Sequence, residues 1–196
     1  WNFFSQSLNK TTPAFFYDRN LIKKAKFPRE AIVIAIIFSN FFHFLVALTL
    51  FIVVLFVNKV FFAHADLAAL LVFATQLLWL LPATLLLLLF TSGLSLLTSS
   101  YNVRFRDVNF MVQLGTMLWF YATPVIYVLD LLPAQFWPIF YLNPMTLISE
   151  LFHFSLIGTP LTLPTMSILS IGVIILTVFF GLLVFKRESK NFDDWL

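Results

Sequence analysis

Glu150 and His153 stand three residues apart in an apolar stretch without Lys or Arg. On a helix that spacing puts a carboxylate and an imidazole on one face. An ionisable pair at membrane depth is a functional hypothesis by default; the same pair at headgroup level is wet and ordinary. Arg104 and Arg106 form a second constellation, followed by Asp107. Two guanidinium groups hold a lipid pyrophosphate well through paired hydrogen bonds. The plainer reading is that they anchor to anionic headgroups while Asp107 pairs with one of them. Lys23, Lys24, Lys26 and Arg29 make a third group, mixed with Phe15, Phe16, Tyr17, Leu21 and Ile22. That mixture suits a short helix lying on the membrane surface or docking on a partner. His43 stands alone in an apolar run and reads as a satisfied interior histidine.

Catalytic constellations are not among these groups. A loop that cradles phosphates needs glycines and a following Lys in the pattern GxxxxGK[ST], and none of the five glycines is so placed. His43, His64 and His153 are far apart and outside any HExxH, so no zinc site is expected. No serine lies in a GxSxG elbow. The chain is therefore expected to hold no cofactor or metal of its own and to be no enzyme. With no cysteine it has neither disulfides nor thiolate ligands. The net charge of +3 does not point to nucleic acid, because the positive residues lie in short segments between apolar runs, as membrane topology requires.

The elements that must position these groups follow from composition. With 61% hydrophobic residues, 11% charged and a mean hydropathy of +0.96, the chain has too few polar side chains to cover a water-soluble globule. Lipid offers no partners to the backbone, so the choice is helices or a closed barrel, and long unbroken apolar runs favour helices. An all-α integral membrane protein is expected, one membrane domain over 1–196 without linkers or repeats. Spans are placed at 31–57, 67–99, 108–129 and 164–185. The uncharged stretch 67–103 is long enough for one span with an extension or for two short ones broken near Pro82; one crossing keeps all three cationic clusters on one side. Those clusters are residues 19–29, Arg104 with Arg106, and Lys186, Arg187 and Lys190; their side is the cytoplasm, with 186–196 a cytoplasmic tail. Residues 1–8 read as the cytoplasmic end of an earlier helix, and 11–30 as a cytoplasmic loop. Between 130 and 163, four prolines interrupt apolar stretches. This is too greasy for an open loop and too broken for a span, so a pair of short re-entrant helices on the outer side, meeting near Asn143 and Pro144, is expected beside a cavity or pore.

Four segments carry a resemblance. Asn20-Leu-Ile-Lys-Lys-Ala-Lys-Phe-Pro-Arg-Glu30, Tyr101-Asn-Val-Arg-Phe-Arg-Asp107, Thr123-Pro-Val-Ile-Tyr127 and Tyr141-Leu-Asn-Pro-Met145 are similar, in order and spacing, to the permease subunit of type-2 ATP-binding-cassette exporters of polysaccharides: O-antigen, teichoic acid or capsule precursors. The resemblance implies six spans in the family, about four of them here, the chain entering near the end of the second. It implies a homodimer in the bacterial inner membrane with a separate nucleotide-binding ATPase that holds ATP and Mg, and a lipid-linked polysaccharide as cargo. A coupling helix on the cytoplasmic loop maps to about 16–29, so Phe16, Leu21, Lys23, Lys24, Lys26 and Arg29 become ATPase-coupling candidates.

For a sugar cargo, aromatic rings matter, because sugars stack their C–H faces on them. Phe110, Trp119, Phe120 and Tyr121, with Arg104, Arg106 and Glu150, are the candidates for the substrate path. Against this, Trp119, Tyr121, Tyr127, Trp137 and Tyr141 also fit an outer interfacial belt. Thr91, Ser92, Gly93, Ser95, Thr98, Ser99 and Ser100 permit close helix approach, at a dimer seam or in a polar lumen. The rival functions are an exporter of a drug or other small amphiphile and a membrane-embedded lipid-modifying enzyme.

Overall fold

The computed structural model describes residues 1–17, 28–62, 66–127, 133, 135, 137–160 and 167–192, and every regular element among them is helical. Helix α1 (Asn2–Thr11) and the single turn α2 (Ala14–Tyr17) precede the long α3 (Glu30–Val57), which continues into a π-helical turn, Asn58–Phe62. Then come α4 (Leu67–Leu77), α5 (Leu80–Arg104) and α6 (Val108–Tyr121). Short helices α7 (Trp137–Tyr141) and α8 (Pro144–Ile157) lead to α9 (Ser167–Glu188), which ends in a 3-10 turn.

Three stretches among the described residues are long and apolar enough to cross a membrane: Glu30–Phe62, Leu67–Arg104 and Ser167–Glu188. The region expected as a fourth span, 108–129, is helical over the 14 residues of α6, about 21 Å, short of a core of roughly 30 Å. Pro124 disfavours a helical conformation at Thr123, whose Oγ1 donates to the Trp119 carbonyl at 2.9 Å. Residues 128 and 129 lie outside the described residues. The apolar stretch 67–104 is one column in two pieces. Pro82 falls in the first turn of α5, where a missing N–H costs nothing, and the turn at Leu78 and Trp79 closes with bonds to Thr75 and Gln76.

Residues 1–8, expected as the cytoplasmic end of an earlier helix, lie in α1 and its cap, and the helix packs among several others. Phe3, Phe4, Ser7, Leu8 and Thr11 are all buried, a stripe at helical spacing that packs against α3, α5 and α6. The Phe4 ring stacks on Phe90 of α5, 5.6 Å between centroids. On α3, only Ile32, Val33, Ile37 and Asn40 are buried. Its most apolar stretch is 0% buried within the chain, so lipid or another protein surface must cover it.

Helices α5 and α9 form the tightest pair. A Cβ on Gly93 would lie 2.8 Å from the Val178 Cα, and one on Gly181 would collide with the Gly93 carbonyl oxygen. Backbone meets backbone there, as small residues allow in membrane bundles. The hydroxyl-rich stripe of α5 is spent inside this chain: Thr91, Ser95, Ser99 and Ser100 are buried. Thr91 and Ser100 donate to carbonyls one turn back on their own helix. The stripe is therefore neither an open lumen nor a seam left free for a second copy.

The bundle has two distinct ends. Phe15 of α2 packs on Phe185 and Phe192 at the carboxyl end of α9, with centroids 5.8 and 4.9 Å away. At the opposite end the amino-terminal part of α9 meets the α7–α8 pair, where Ser170 Oγ donates to the Tyr141 carbonyl. There, Leu147 and Leu151 of α8 pack on Ala83 at the start of α5. The two short helices do meet at Leu142 and Asn143, and α8, at 14 residues, is too short to span the membrane alone.

Candidate substrate groove and cationic end

Asn143 fixes the far end of the bundle. It caps α8 by accepting from the Met145 N–H at 3.1 Å, and Pro144 takes the first helical position, where no donor is needed. The same oxygen accepts from Trp119 Nε1 at 3.0 Å, and Asn143 Nδ2 donates to Thr123 Oγ1 at 2.8 Å. One amide thus ties α8 to the end of α6. Helix α8 closes at Gly158, whose φ of 81° lies in the left-handed region that glycine adopts at least cost.

Between α1 and α6 a groove of about 420 Å³ opens. Its polar wall is Asn2, Ser5 and Asn9 of α1 facing Gln113 and Thr116 of α6. Its aromatic wall is Trp1, Phe120 and Tyr121, with Trp1 and Phe120 centroids 5.4 Å apart and Phe120 and Tyr121 5.5 Å apart. Asn9 Oδ1 is buried without a partner among the described residues. Amides beside flat rings suit a ligand carrying both hydroxyls and C–H faces.

The substrate-path candidates divide accordingly. Phe120 and Tyr121 line the groove. Trp119 packs inward, edge-on to Phe4 and Phe90 at 5.5 and 5.8 Å. Phe110 lies 64% exposed elsewhere on α6. Glu150 is 5% exposed on α8. His153, three residues on, sets its Nε2 3.3 Å from the Val125 carbonyl. Tyr141 is buried and so does not belong to an interfacial belt. His43 is exposed rather than interior: it lines a second recess of about 370 Å³ on the other flank of α1, with Gln6 and Asn40. Lys10 Nζ donates to Asn40 Oδ1 there at 2.9 Å, and Asn40 Nδ2 donates to Ser7. This network gave no signal beyond isolated polar residues in separate apolar runs.

The cationic candidates gather at the other end. The Arg106 guanidinium lies 5.3 Å over the Phe16 ring, and Arg29 lies 5.6 Å over Phe192; such contacts hold a cation against an aromatic face. Arg104 is exposed and stacks on Phe105 at 5.2 Å. Lys186 and Arg187, exposed in the last turn of α9, flank Phe185. Three cationic segments distant in sequence therefore share one end of the bundle, around the cluster of Phe15, Phe185 and Phe192. Leu21, Lys23, Lys24 and Lys26 lie outside the described residues, between Tyr17 and Pro28.

The chain is similar in sequence to known proteins. The ABC-2 type transporter family matches residues 2–157. The chain is 31% identical over 200 residues to the O-antigen export system permease protein RfbA of Klebsiella pneumoniae, covering 100% of this chain and 71% of that protein. A second K. pneumoniae protein of the same name is 30% identical with the same coverage. The Myxococcus xanthus protein of that name is 30% identical over 66% of this chain and 46% of its own length. With a cationic aromatic end, a polar groove and helices long enough to span the bilayer several times, this chain belongs to the ABC-2 type transporter family, as a multi-pass membrane permease and not an enzyme.

Proposed function

We propose that this chain is the membrane-spanning half of an exporter that moves a lipid-linked polysaccharide of the O-antigen class across the bacterial inner membrane. The observation that carries the cargo is the groove between α1 and α6, where amides and aromatic rings face each other across about 420 Å³. A sugar chain offers hydroxyls to the first and C–H faces to the second, whereas a small apolar amphiphile has no use for a wall of amides. The names of the relatives agree with that cargo.

The energy comes from a partner ATPase, which binds ATP and Mg. It docks through Lys23, Lys24 and Lys26, in the sequence between Tyr17 and Pro28. A push there reaches Phe15, and through it α9 and α5. Two copies of the permease enclose the path, with α3 and α6 bringing exposed apolar faces. Arg104 and Arg106 meet the lipid pyrophosphate at the entrance.

Deleting the gene removes the surface glycan, and the full-length protein restores it; intact glycan in the deletion strain would assign another cargo. Neutralising Lys23, Lys24 and Lys26 together reduces co-purification of the co-encoded ATPase. Undiminished co-purification would move the docking site elsewhere.

A further inference from the structure

Helix α6 receives its amino-terminal cap from another helix. Asp107 occupies the cap position but makes no side-chain bond there. The bond comes from Asn102 in the last turn of α5, 1% exposed, whose Oδ1 accepts from the Asn109 N–H at 3.0 Å. A backbone N–H only donates, so the atom facing it is the amide oxygen. An aspartate at the cap position is able to satisfy such a donor locally. A cap supplied by the preceding helix also fixes where α6 starts relative to α5.

Between the two ends of this bond lie Arg104, Phe105, Arg106 and Asp107. Phe105 is extended; its N–H donates to the Tyr101 carbonyl at 2.8 Å, and its carbonyl accepts from the Val108 N–H at 3.1 Å. With the Asn102 bond, these close a short turn that carries both guanidinium groups. Arg104 lies over Phe105, and Arg106 over Phe16 of α2. Two guanidinium groups against the carboxylate of Asp107 leave the turn a net charge of +1. With so small a surplus, capture of a multiply charged anion depends on where the guanidinium groups stand, because their paired donors bind phosphate through geometry as well as charge.

We propose that Asn102 is a positioning residue for the diphosphate end of the cargo: through the Asn109 N–H it sets the turn on which Arg104 and Arg106 meet that group. This role rests on the reading of the two arginines as pyrophosphate ligands, and the test separates the two.

The test is equilibrium binding of radiolabelled farnesyl diphosphate and farnesyl monophosphate to the full-length protein in phosphatidylcholine nanodiscs, with empty discs as the blank. Arg104→Gln with Arg106→Gln weakens diphosphate binding at least about tenfold, as loss of charged hydrogen bonds requires. Asn102→Leu lacks the accepting oxygen, and Asn102→Ser is too short to reach Asn109. Each weakens diphosphate binding about fivefold and monophosphate binding less than about twofold, since one phosphate needs only one guanidinium. In the chain already lacking both arginines, neither Asn102 change causes a further loss, because no guanidinium is left to position. The two Asn102 variants differ in size, so misfolding of one, read by gel filtration, leaves the other. Diphosphate binding weakened by the arginine changes but not by the Asn102 changes overturns the positioning role alone. Diphosphate binding unchanged without the arginines overturns the pyrophosphate reading and this role with it. Equal losses for diphosphate and monophosphate, a further loss in the chain without arginines, or misfolding of both Asn102 variants makes Asn102 a structural residue and overturns the proposal.

Discussion

The seam between α5 and α9 and the groove between α1 and α6 differ in what fills the space between their helices. At the seam, Gly93 and Gly181 bring the backbones together, and on α5 Thr91 Oγ1 donates back to the Leu87 carbonyl at 2.7 Å and Ser100 Oγ to Leu96 at 2.6 Å. In the groove the hydroxyls of Ser5 and Thr116 bend back in the same way, to Asn2 and Gln113, but Asn2, Asn9 and Gln113 add longer amides beside Phe120 and Tyr121. Polarity alone therefore does not identify a transport path; amide side chains set beside aromatic rings do.

The largest break in this comparison is at the glycines. Gly181→Leu forces a side chain into the Gly93 backbone, which has no rotamer with which to yield. It lowers stability by about 3 kcal/mol, the upper part of the overpacking range, read as a fall in thermal unfolding temperature in detergent. Gly115→Leu is the control, because a Cβ there meets nothing within 4 Å; its effect stays within about 0.5 kcal/mol.

An intermediate effect falls on the groove, and on function rather than fold. Phe120→Ala or Tyr121→Ala removes one stacking face. A loss of about 1.4 kcal/mol of cargo contact lowers surface glycan export roughly tenfold, while in Tyr121→Ala the unfolding temperature changes little because Tyr121 is 69% exposed. The smallest effect is at the seam hydroxyls. Ser99→Ala deletes a 3.2 Å bond to the Leu96 carbonyl and costs at most about 0.6 kcal/mol, the average for hydrogen bonds measured in a membrane bundle. A large loss of export in that variant, with stability intact, would return the hydroxyl stripe to the list of path residues.

Long elements were legible in the sequence because lipid imposes one strong rule on them. The runs behind α3, α5 and α9 are uncharged over more than a bilayer thickness, and the described cations at their ends, Arg29, Arg104, Arg106, Lys186 and Arg187, fall at one end of the structure. The α7–α8 turn at Asn143 and Pro144 was legible too, since a capping residue followed by proline starts a helix. Helix α1 was not. Its ten residues are too few to read as a span, and its buried stripe mixes Phe3, Phe4 and Leu8 with Ser7 and Thr11, which declares itself only beside the partners that cover it. The aromatics were half legible for a related reason. Phe120, Tyr121 and Trp119 are consecutive, so on a helix each looks a different way, and only the packing of Phe4 and Phe90 on Trp119 decides which faces the groove.

The chain has no cysteine, so single cysteines report position without interference. With a charged, membrane-impermeant methanethiosulfonate applied to cells, Gln113→Cys in the groove should react and its modification should block glycan export. Leu118→Cys, 72% exposed on the same helix but outside the groove, on the apolar face that lipid or the second copy covers, should stay unmodified. If Leu118→Cys reacts as fast as Gln113→Cys, or if Gln113→Cys is silent throughout transport, the groove between α1 and α6 is not the aqueous path.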